Sequence, residues 1–121
     1  MLQNYSVKTA TTSCEKIVQR YNQLLLEYDT KEHAVSFYAE KLNITPNHLN
    51  KCVKLVLNKS ASGLLNEMII LEAKVLMNQN PINVGELAFA LGFEDPSYFT
   101  RFFKKHTGIT PTEYYSKIDL S

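Results

Sequence analysis

The chain has 121 residues, of which 45% are hydrophobic and 21% charged, and its formal net charge at pH 7 is +1. This composition is typical of a folded, mainly helical protein with one ordinary domain or two very small ones, and it excludes a disordered chain. No apolar run reaches the length of about 18 residues that a membrane helix needs, and no basic-then-apolar leader opens the chain, so the cytoplasm is expected. Cys14 and Cys52 form no C-x-x-C motif or paired framework, which predicts neither a disulfide scaffold nor a zinc module.

The first part of the chain predicts a tail followed by a packing helix. Residues 1–11 are polar and show no sustained period, so we expect a tail or linker. Thr12 and Glu15 form a capping box that starts a helix. The apolar residues that follow recur at helical spacing and predict one packed face: Ile17, Val18, Tyr21, Leu24, Leu25 and Tyr28.

A helix-turn-helix pattern completes the first predicted lobe, residues 12–58. Asn43 stands at the turn, and Asn is among the residues other than Gly that best tolerate a positive φ. Thr45 and Pro46 then cap and start the second helix of the motif. Two apolar sets recur at helical spacing on either side of the turn: Val35, Tyr38, Ala39 and Leu42, and then Leu49, Cys52, Val53 and Val56. The outward side of the second helix carries Asn47, Asn50, Lys51 and Lys54.

Residues 60–80 predict a long connector helix. Serines at its start can cap it, and Asn80–Pro81 is a helix stop. Its side chains are apolar on nearly all sides, so we expect the helix to be buried. At about 1.5 Å per residue it spans roughly 30 Å, close to the roughly 34 Å between successive major-groove faces on one side of B-DNA.

The second predicted lobe, residues 82–118, has the same order of elements. Gly92 supplies the positive φ of its turn, and Asp95–Pro96 caps and starts the next helix. Thr110 and Glu113 form a capping box for the last helix. The helix after the turn has an apolar side with Phe99, Phe102, Phe103 and His106, and a polar side with Ser97, Thr100, Arg101 and Lys104.

The two lobes are an internal repeat. A shift of 49 residues pairs Val35 with Val84, Ala39 with Ala88 and Leu42 with Leu91, and a shift of 50 pairs Pro46 with Pro96, Leu49 with Phe99, Lys51 with Arg101 and Lys54 with Lys104. Two copies of one helix-turn-helix unit explain this spacing. Residues 45–66 and 96–112 contain Lys or Arg and no acid. Each unit therefore presents a local basic strip, as a helix that enters a major groove requires.

A specific pattern runs through the second half of the chain: Glu72-Ala73-Lys74, Ile82-x-Val84-x-Glu86-Leu87-Ala88, Gly92-Phe93-Glu94-Asp95-x-Ser97-Tyr98-Phe99-x-Arg101-x-Phe103-Lys104-Lys105 and Gly108-Ile109-Thr110-Pro111-x-x-Tyr114. It resembles the DNA-binding domain of the AraC/XylS family of bacterial transcription regulators, and the resemblance covers roughly residues 17–117. The resemblance implies an all-α fold of about seven helices, with two helix-turn-helix lobes joined by a long central helix. It also implies that both recognition helices bind in adjacent major grooves.

The resemblance implies positions for the DNA contacts. Base-reading sites fall on Asn47, Asn50 and Lys51 in the first recognition helix and on Pro96, Ser97 and Arg101 in the second. Pro96 cannot donate a hydrogen bond to a base edge, so the second helix is expected to rely on Ser97 and Arg101. Phosphate contacts are assigned to Thr45, Lys54, Thr100, Lys104 and Thr110. The chain departs from the family pattern at Asn58, where Gly is usual, and at Tyr115, where Arg is usual.

Double-stranded DNA is therefore the predicted partner, with RNA polymerase as a further candidate. No cofactor, metal or membrane is expected, and no effector-binding sensor domain is expected within this chain. His48 and Cys52 share a helix side, but a metal site there would lack two further ligands. The main alternative is a helical protein-interaction module with weakened DNA binding. A small enzyme is the other alternative, disfavoured because no paired carboxylates, activated nucleophile or Gly-rich cleft loop is recognisable.

Overall fold

The computed structural model describes residues 2–79 and 82–120, with side chains described for residues 11–79 and 82–118. The described residues form seven α-helices and no strand: α1 Leu2–Glu27, α2 Val35–Lys41, α3 Pro46–Leu57, α4 Ala61–Gln79, α5 Val84–Ala90, α6 Pro96–Thr107 and α7 Pro111–Leu120. The predicted all-α fold is confirmed. The stop predicted at Asn80–Pro81 lies outside the described residues.

The chain divides into two compact units. Unit 1 contains Met1–Tyr28 and Glu32–Asn66, and unit 2 contains Asp29–Lys31 and Glu67–Ser121. One predicted helix-turn-helix motif lies in each unit, α2 and α3 in unit 1 and α5 and α6 in unit 2. The long helix α4 begins in unit 1 and ends in unit 2.

Helix α1 is longer than the sequence pattern predicts. It begins at Leu2 rather than at the Thr12 capping box, so residues 2–11, expected to be a tail, are helical. Residues 2–11 include neither Gly nor Pro, the two residues that most often break a helix. The helix stabilised by the packed residues farther along can therefore continue through them. The helix thus extends beyond its strongest local start signal.

The core of unit 1 forms between α1 and the helix-turn-helix motif. The buried residues of α1 are Val18, Tyr21, Leu24 and Leu25, and those of α2 and α3 are Tyr38, Ala39, Leu49, Cys52 and Val53. The two buried tyrosines keep their hydroxyls paired, because Tyr21 Oη donates to the Ala61 carbonyl at 2.9 Å and Tyr38 Oη donates to the Glu32 carbonyl at 2.7 Å. Buried polar groups are costly unless they are hydrogen-bonded, so these bonds let two large rings fill the core.

A disulfide joins Cys14 of α1 to Cys52 of α3. The sequence, which indicated no disulfide scaffold, did not predict this bond. They are 38 residues apart in the sequence, but the packing of α1 on α3 brings their Cα atoms to 4.7 Å. That separation lies in the range of about 4.4–6.8 Å that disulfides span. Cys52 also occupies the buried face predicted for it.

The core of unit 2 is aromatic. Phe93, Phe99 and Phe103 are buried, and the ring of Phe103 meets that of Tyr114 on α7 at 5.8 Å between centroids. Phe102 and His106, predicted to face inward, lie at the edge of this core: Phe102 is half-buried and His106 is exposed. Their rings contact each other at 4.5 Å. The inward stripe of α6 is thus narrower than predicted.

Helix α4 is less buried than its composition predicts. Its N-terminus is capped by Ser60, whose hydroxyl accepts a hydrogen bond from the Gly63 amide at 2.9 Å. Leu64, Leu65, Ile69, Ala73 and Met77 are buried, but Leu71 and Val75 are exposed. None of the helices in the described part of the chain is both long and apolar enough to span a membrane.

Candidate nucleic-acid interface

The same turn geometry presents the second helix of each motif. In unit 1, Asn43 has a φ of 58° and the Ile44 amide donates to the Ala39 carbonyl at 3.0 Å. In unit 2, Gly92 has a φ of 86° and the Phe93 amide donates to the Ala88 carbonyl at 2.9 Å. The predicted positive φ values are confirmed, and these equivalent bonds support the internal repeat.

Helices α3 and α6, the predicted recognition helices, both start with the predicted caps. The Thr45 hydroxyl accepts from the His48 amide at 3.1 Å, and Asp95 Oδ1 accepts from the Ser97 amide at 2.9 Å. A Pro follows each cap at the first helical position, where no amide hydrogen is needed. The two helices are therefore fixed at the ends that carry the predicted base-reading residues.

Both recognition helices also end alike. Asn58 and Gly108 are C-cap residues in the left-handed region, with φ values of 57° and 88°. Asn tolerates this conformation better than most residues with a side chain. The departure at Asn58 therefore preserves the helix end.

The exposed face of α6 carries the predicted residues of the second lobe. Ser97, Arg101 and Lys104 are exposed. Pro96, Ser97, Thr100 and Arg101 line an open groove of about 480 Å³. The Thr100 hydroxyl donates to the Pro96 carbonyl at 3.0 Å, so its proton is engaged within the helix. This face thus combines two cations, Arg101 and Lys104, with small polar and apolar groups.

The exposed face of α3 carries the predicted residues of the first lobe, with one exception. Asn47, Lys51 and Lys54 are exposed. Asn50 is half-buried, and its Oδ1 accepts a hydrogen bond from the Ala61 amide at 2.9 Å. Ala61 is the first residue of α4, so this contact fastens the recognition helix to the start of the connector. Asn50 therefore has a structural contact within unit 1 that the sequence did not indicate.

The repeat explains why only the first lobe uses an Asn in this way. A shift of 50 residues places Asn50 on Thr100 and Ala61 on Pro111. Pro111 has no amide hydrogen, so the second lobe needs no acceptor at this position. In the first lobe, the Ala61 amide is among those at a helix start that have no partner within the helix.

Replacing Asn50 by Ala is expected to lower the free energy of unfolding by about 1–2 kcal/mol, because the amide of the buried Ala61 loses its acceptor. Denaturant titration followed by circular dichroism measures this loss. Asn47→Ala is the matched control on the same helix, and since Asn47 is exposed its effect should stay within about 0.5 kcal/mol. Equal stability of the two variants would show that the Asn50 contact contributes nothing.

Two further residues that the sequence singled out, Thr110 and Tyr115, have hydrogen-bond partners at the last helix. The Thr110 hydroxyl accepts from the Glu113 amide at 3.1 Å and donates to Glu113 Oε1 at 3.2 Å, which confirms the cap of α7. Tyr115, where the family usually has Arg, donates its hydroxyl to the Ile82 carbonyl at 2.6 Å. Burial raises the pKa of the Tyr115 hydroxyl, so it remains a neutral donor. Tyr115 thereby fastens α7 to the segment before α5.

His48 and Cys52 do not form part of a metal site. His48 Nε2 lies 4.0 Å from Cys52 Sγ, and that sulfur belongs to the disulfide. Among the described residues no three His, Cys, Asp or Glu side chains are grouped so that they could hold a metal ion.

Tyr98 lies on α6 between Ser97 and the buried Phe99. Its ring contacts the buried Phe93, at 5.9 Å between centroids, but the residue is exposed. Its ring also lies 6.0 Å from Arg101 Cζ. The spacing of three residues between Tyr98 and Arg101 was the signal for this contact, because such residues are neighbours on a helix surface.

Comparison with known proteins places these features in one family. The profile of a family described as a helix-turn-helix domain matches residues 38–117. The uncharacterized HTH-type transcriptional regulator YpdC of Escherichia coli is 30% identical over 101 residues, which cover 84% of this chain and 33% of that protein. YisR of Bacillus subtilis, of the same description, is 27% identical over 100 residues, 83% of this chain and 35% of that protein. The chain thus spans about a third of the length of these curated relatives.

Solved structures show the same fold. The C-terminal domain of AraT, a response regulator from Geobacillus stearothermophilus, matches with a TM-score of 0.77 and 27% identity over 84% of each chain. The DNA-binding domain of AdpA, solved in complex with a target DNA, matches with a TM-score of 0.71 over 86% of this chain and 90% of that one. At 18% identity this second likeness shows the fold alone.

The reported relatives are named as transcriptional regulators, and the prediction that this domain is not an enzyme is confirmed. The order of helices, the two turns and the profile match all agree with the resemblance seen in the sequence. The chain therefore belongs to the AraC-type helix-turn-helix family of DNA-binding domains from transcription regulators.

Proposed function

We propose that this domain binds double-stranded DNA sequence-specifically and regulates transcription, with α3 and α6 lying in adjacent major grooves. The observation that carries this proposal is the repeated exposed face of the two recognition helices. Each helix presents one cation, Lys51 or Arg101, and a lysine three residues later, Lys54 or Lys104. Each is held at its N-terminal end by a side-chain cap. A capped helix with an apolar inner face and a cationic outer face suits insertion into a major groove.

In the proposed complex each lobe reads bases with its own exposed side chains, and those of the second lobe lie on α6. The planar guanidinium of Arg101 can donate two parallel hydrogen bonds to O6 and N7 of a guanine. Ser97 can pair with any base edge, and the Pro96 ring and the Thr100 methyl offer the kind of apolar surface that packs on a thymine methyl.

In the first lobe, the Asn47 amide suits an adenine, and the Lys51 ammonium acts as a point donor to guanine. Asn50, engaged by the Ala61 amide, would have to give up that bond to read a base. We therefore assign base reading in α3 to Asn47 and Lys51.

Phosphate contacts supply the affinity and set the register. Lys54 and Lys104 are exposed and suited to this role. The Thr45 hydroxyl accepts a hydrogen bond as a cap and keeps its own proton for a phosphate oxygen. Thr100 and Thr110 already donate within the domain, so each would have to exchange a bond to contact a phosphate.

Selection from a random duplex library tests the proposal. We expect the full chain to enrich two short blocks about 10 base pairs apart, one for each recognition helix. Titration of the selected duplex at several salt concentrations should show the affinity falling steeply as salt rises. Each lysine that contacts a phosphate contributes about −0.9 to the slope of log affinity against log salt, so Lys54→Gln should flatten the slope by about that amount.

Other outcomes would change the assignment. Enrichment of one block alone would mean that one lobe does not read bases. No enrichment, with weak binding even at low salt, would overturn DNA binding by this chain and favour a helical protein-interaction module. Because chromosomal DNA lies in the bacterial cytoplasm, we place the domain there. RNA polymerase is the candidate partner through which a bound regulator would act on transcription.

A further inference from the structure

Tyr98 is an aromatic residue beside the predicted base-reading face of α6. Its exposed fraction is 57%, whereas Phe99 and Phe103 on the same helix are fully buried. A ring that remains mostly in water adds little to the hydrophobic stabilisation of the core. The position of Tyr98 therefore points to a role at the surface.

The contacts of Tyr98 connect the core of unit 2 to Arg101. The ring packs on the buried Phe93 with 5.9 Å between centroids and an interplanar angle of 39°. Phe93 is itself held against Phe99 at 5.2 Å. Arg101 Cζ lies 6.0 Å from the Tyr98 ring centroid, at the distance where a guanidinium is attracted to an aromatic face. A ring supported by the core thus contacts the cation assigned to base reading.

We propose that Tyr98 is a positioning residue for Arg101, which limits the conformations of the guanidinium before DNA binds. This inference rests on the proposed DNA-binding function. Arg has a long side chain that loses much rotamer freedom when it pairs with a base, and a contact already made in the unbound protein reduces that loss. The attraction also strengthens when the DNA displaces water from the pair.

The first lobe has a different arrangement at the equivalent positions. A shift of 50 residues places Tyr98 on His48 and Arg101 on Lys51. His48 Nε2 lies 4.0 Å from the sulfur of Cys52, so this ring contacts the disulfide. A lysine ammonium is a point charge, whereas the planar arginine fork must have the right orientation to form two bonds at once. Positioning by a ring therefore matters more for Arg101 than for Lys51.

A double-mutant cycle on the full chain tests the proposal. The affinity for the selected duplex is measured for the wild type, Tyr98→Leu, Arg101→Ala and the double variant. We expect Tyr98→Leu to weaken binding about tenfold in the wild-type background and less than about twofold when Arg101 is already Ala. Tyr98→Phe keeps the aromatic face and should bind within about twofold of the wild type.

Two variants separate positioning from structural loss. Tyr98→Met keeps an apolar contact with Phe93 but has no aromatic face, so it should match Tyr98→Leu in affinity while thermal unfolding shows that it is folded. His48→Leu, the equivalent change in the first lobe, should show no coupling to Arg101→Ala.

Several results would overturn the proposal. Equal losses from Tyr98→Leu with and without Arg101 would mean that Tyr98 contacts DNA directly or only supports the fold. A loss with Tyr98→Phe as large as that with Tyr98→Leu would assign the effect to the hydroxyl. If the wild type selects a duplex and Tyr98→Leu binds it equally well, this inference fails and the proposed function stands. If the wild type selects no duplex, both fail.

Discussion

Reversing the charge of Arg101 is expected to remove most of the sequence-specific binding of this domain. Arg101→Glu should lower the affinity for the selected duplex by about 100-fold or more, because a bidentate arginine–guanine pair contributes about 1–3 kcal/mol of discrimination and a carboxylate at the same place repels the phosphates. Arg101 is exposed, so its replacement should leave the fold intact. Fluorescence anisotropy with the labelled duplex measures the loss, and circular dichroism verifies the helical content.

Lys117→Glu is the matched control for this charge reversal. Lys117 is exposed on α7 in the same unit, and its replacement by Glu changes the net charge by the same amount as Arg101→Glu. No DNA contact is assigned to Lys117. Its affinity should change only a few-fold, and the change should shrink as salt rises. A similar loss from both variants would mean that charge alone drives binding. An unchanged affinity in Arg101→Glu would favour the interaction-module alternative.

Gly92→Ala is expected to destabilise unit 2 by about 3 kcal/mol or more. Gly92 has a φ of 86° at the turn between α5 and α6, and a residue with a Cβ pays about 1–2 kcal/mol in the left-handed region. The added Cβ would also meet the Lys31 carbonyl oxygen and lie 2.9 Å from the Lys31 Cα. Both are backbone atoms that cannot rotate away, so overpacking adds about 1–3 kcal/mol. Chemical denaturation of the variant and the wild type measures the difference.

Gly108→Ala separates the two causes. Gly108 has a φ of 88°, almost the same conformation, but a Cβ added there would meet no atom within 4 Å. We therefore expect this variant to lose only the conformational part, about 1–2 kcal/mol. If the two variants lost the same free energy, the Lys31 contact would be irrelevant and the conformational cost would account for both.

The two turns show how far local pattern alone can predict this fold. A side chain that caps a helix, a Pro at the first helical position and a residue that accepts a positive φ all act within four residues of one another. Thr45, Asp95 and Asn43 could therefore be assigned from the sequence, and the structure confirms each of them. The internal repeat added the equivalence of the two motifs, because it compares segments of the sequence directly.

Exposed cations on the recognition helices were also predictable. Helical spacing separates the outward from the inward face, which places Lys51 and Arg101 outward, as the structure has them. Helical spacing was less accurate at the edge of the apolar face of α6, where His106 is exposed. Local signals were also less accurate at helix ends, because α1 begins ten residues before its predicted start. Helix ends depend on packing as well as on local signals.

By itself, then, the sequence determined the seven helices' order, the caps, the two turns and the cationic faces, since these depend on residues a few positions apart. Only the tertiary structure decided which distant residues meet. Cys14 pairs with Cys52 because α1 packs on α3, Asn50 accepts from Ala61 because α4 starts beside α3, and Gly92 must remain a glycine because Lys31 passes close to it. These contacts join residues 38, 11 and 61 positions apart, and no periodicity relates them. Their physical cause is the burial of the apolar faces, which brings the helices together irrespective of distance along the chain.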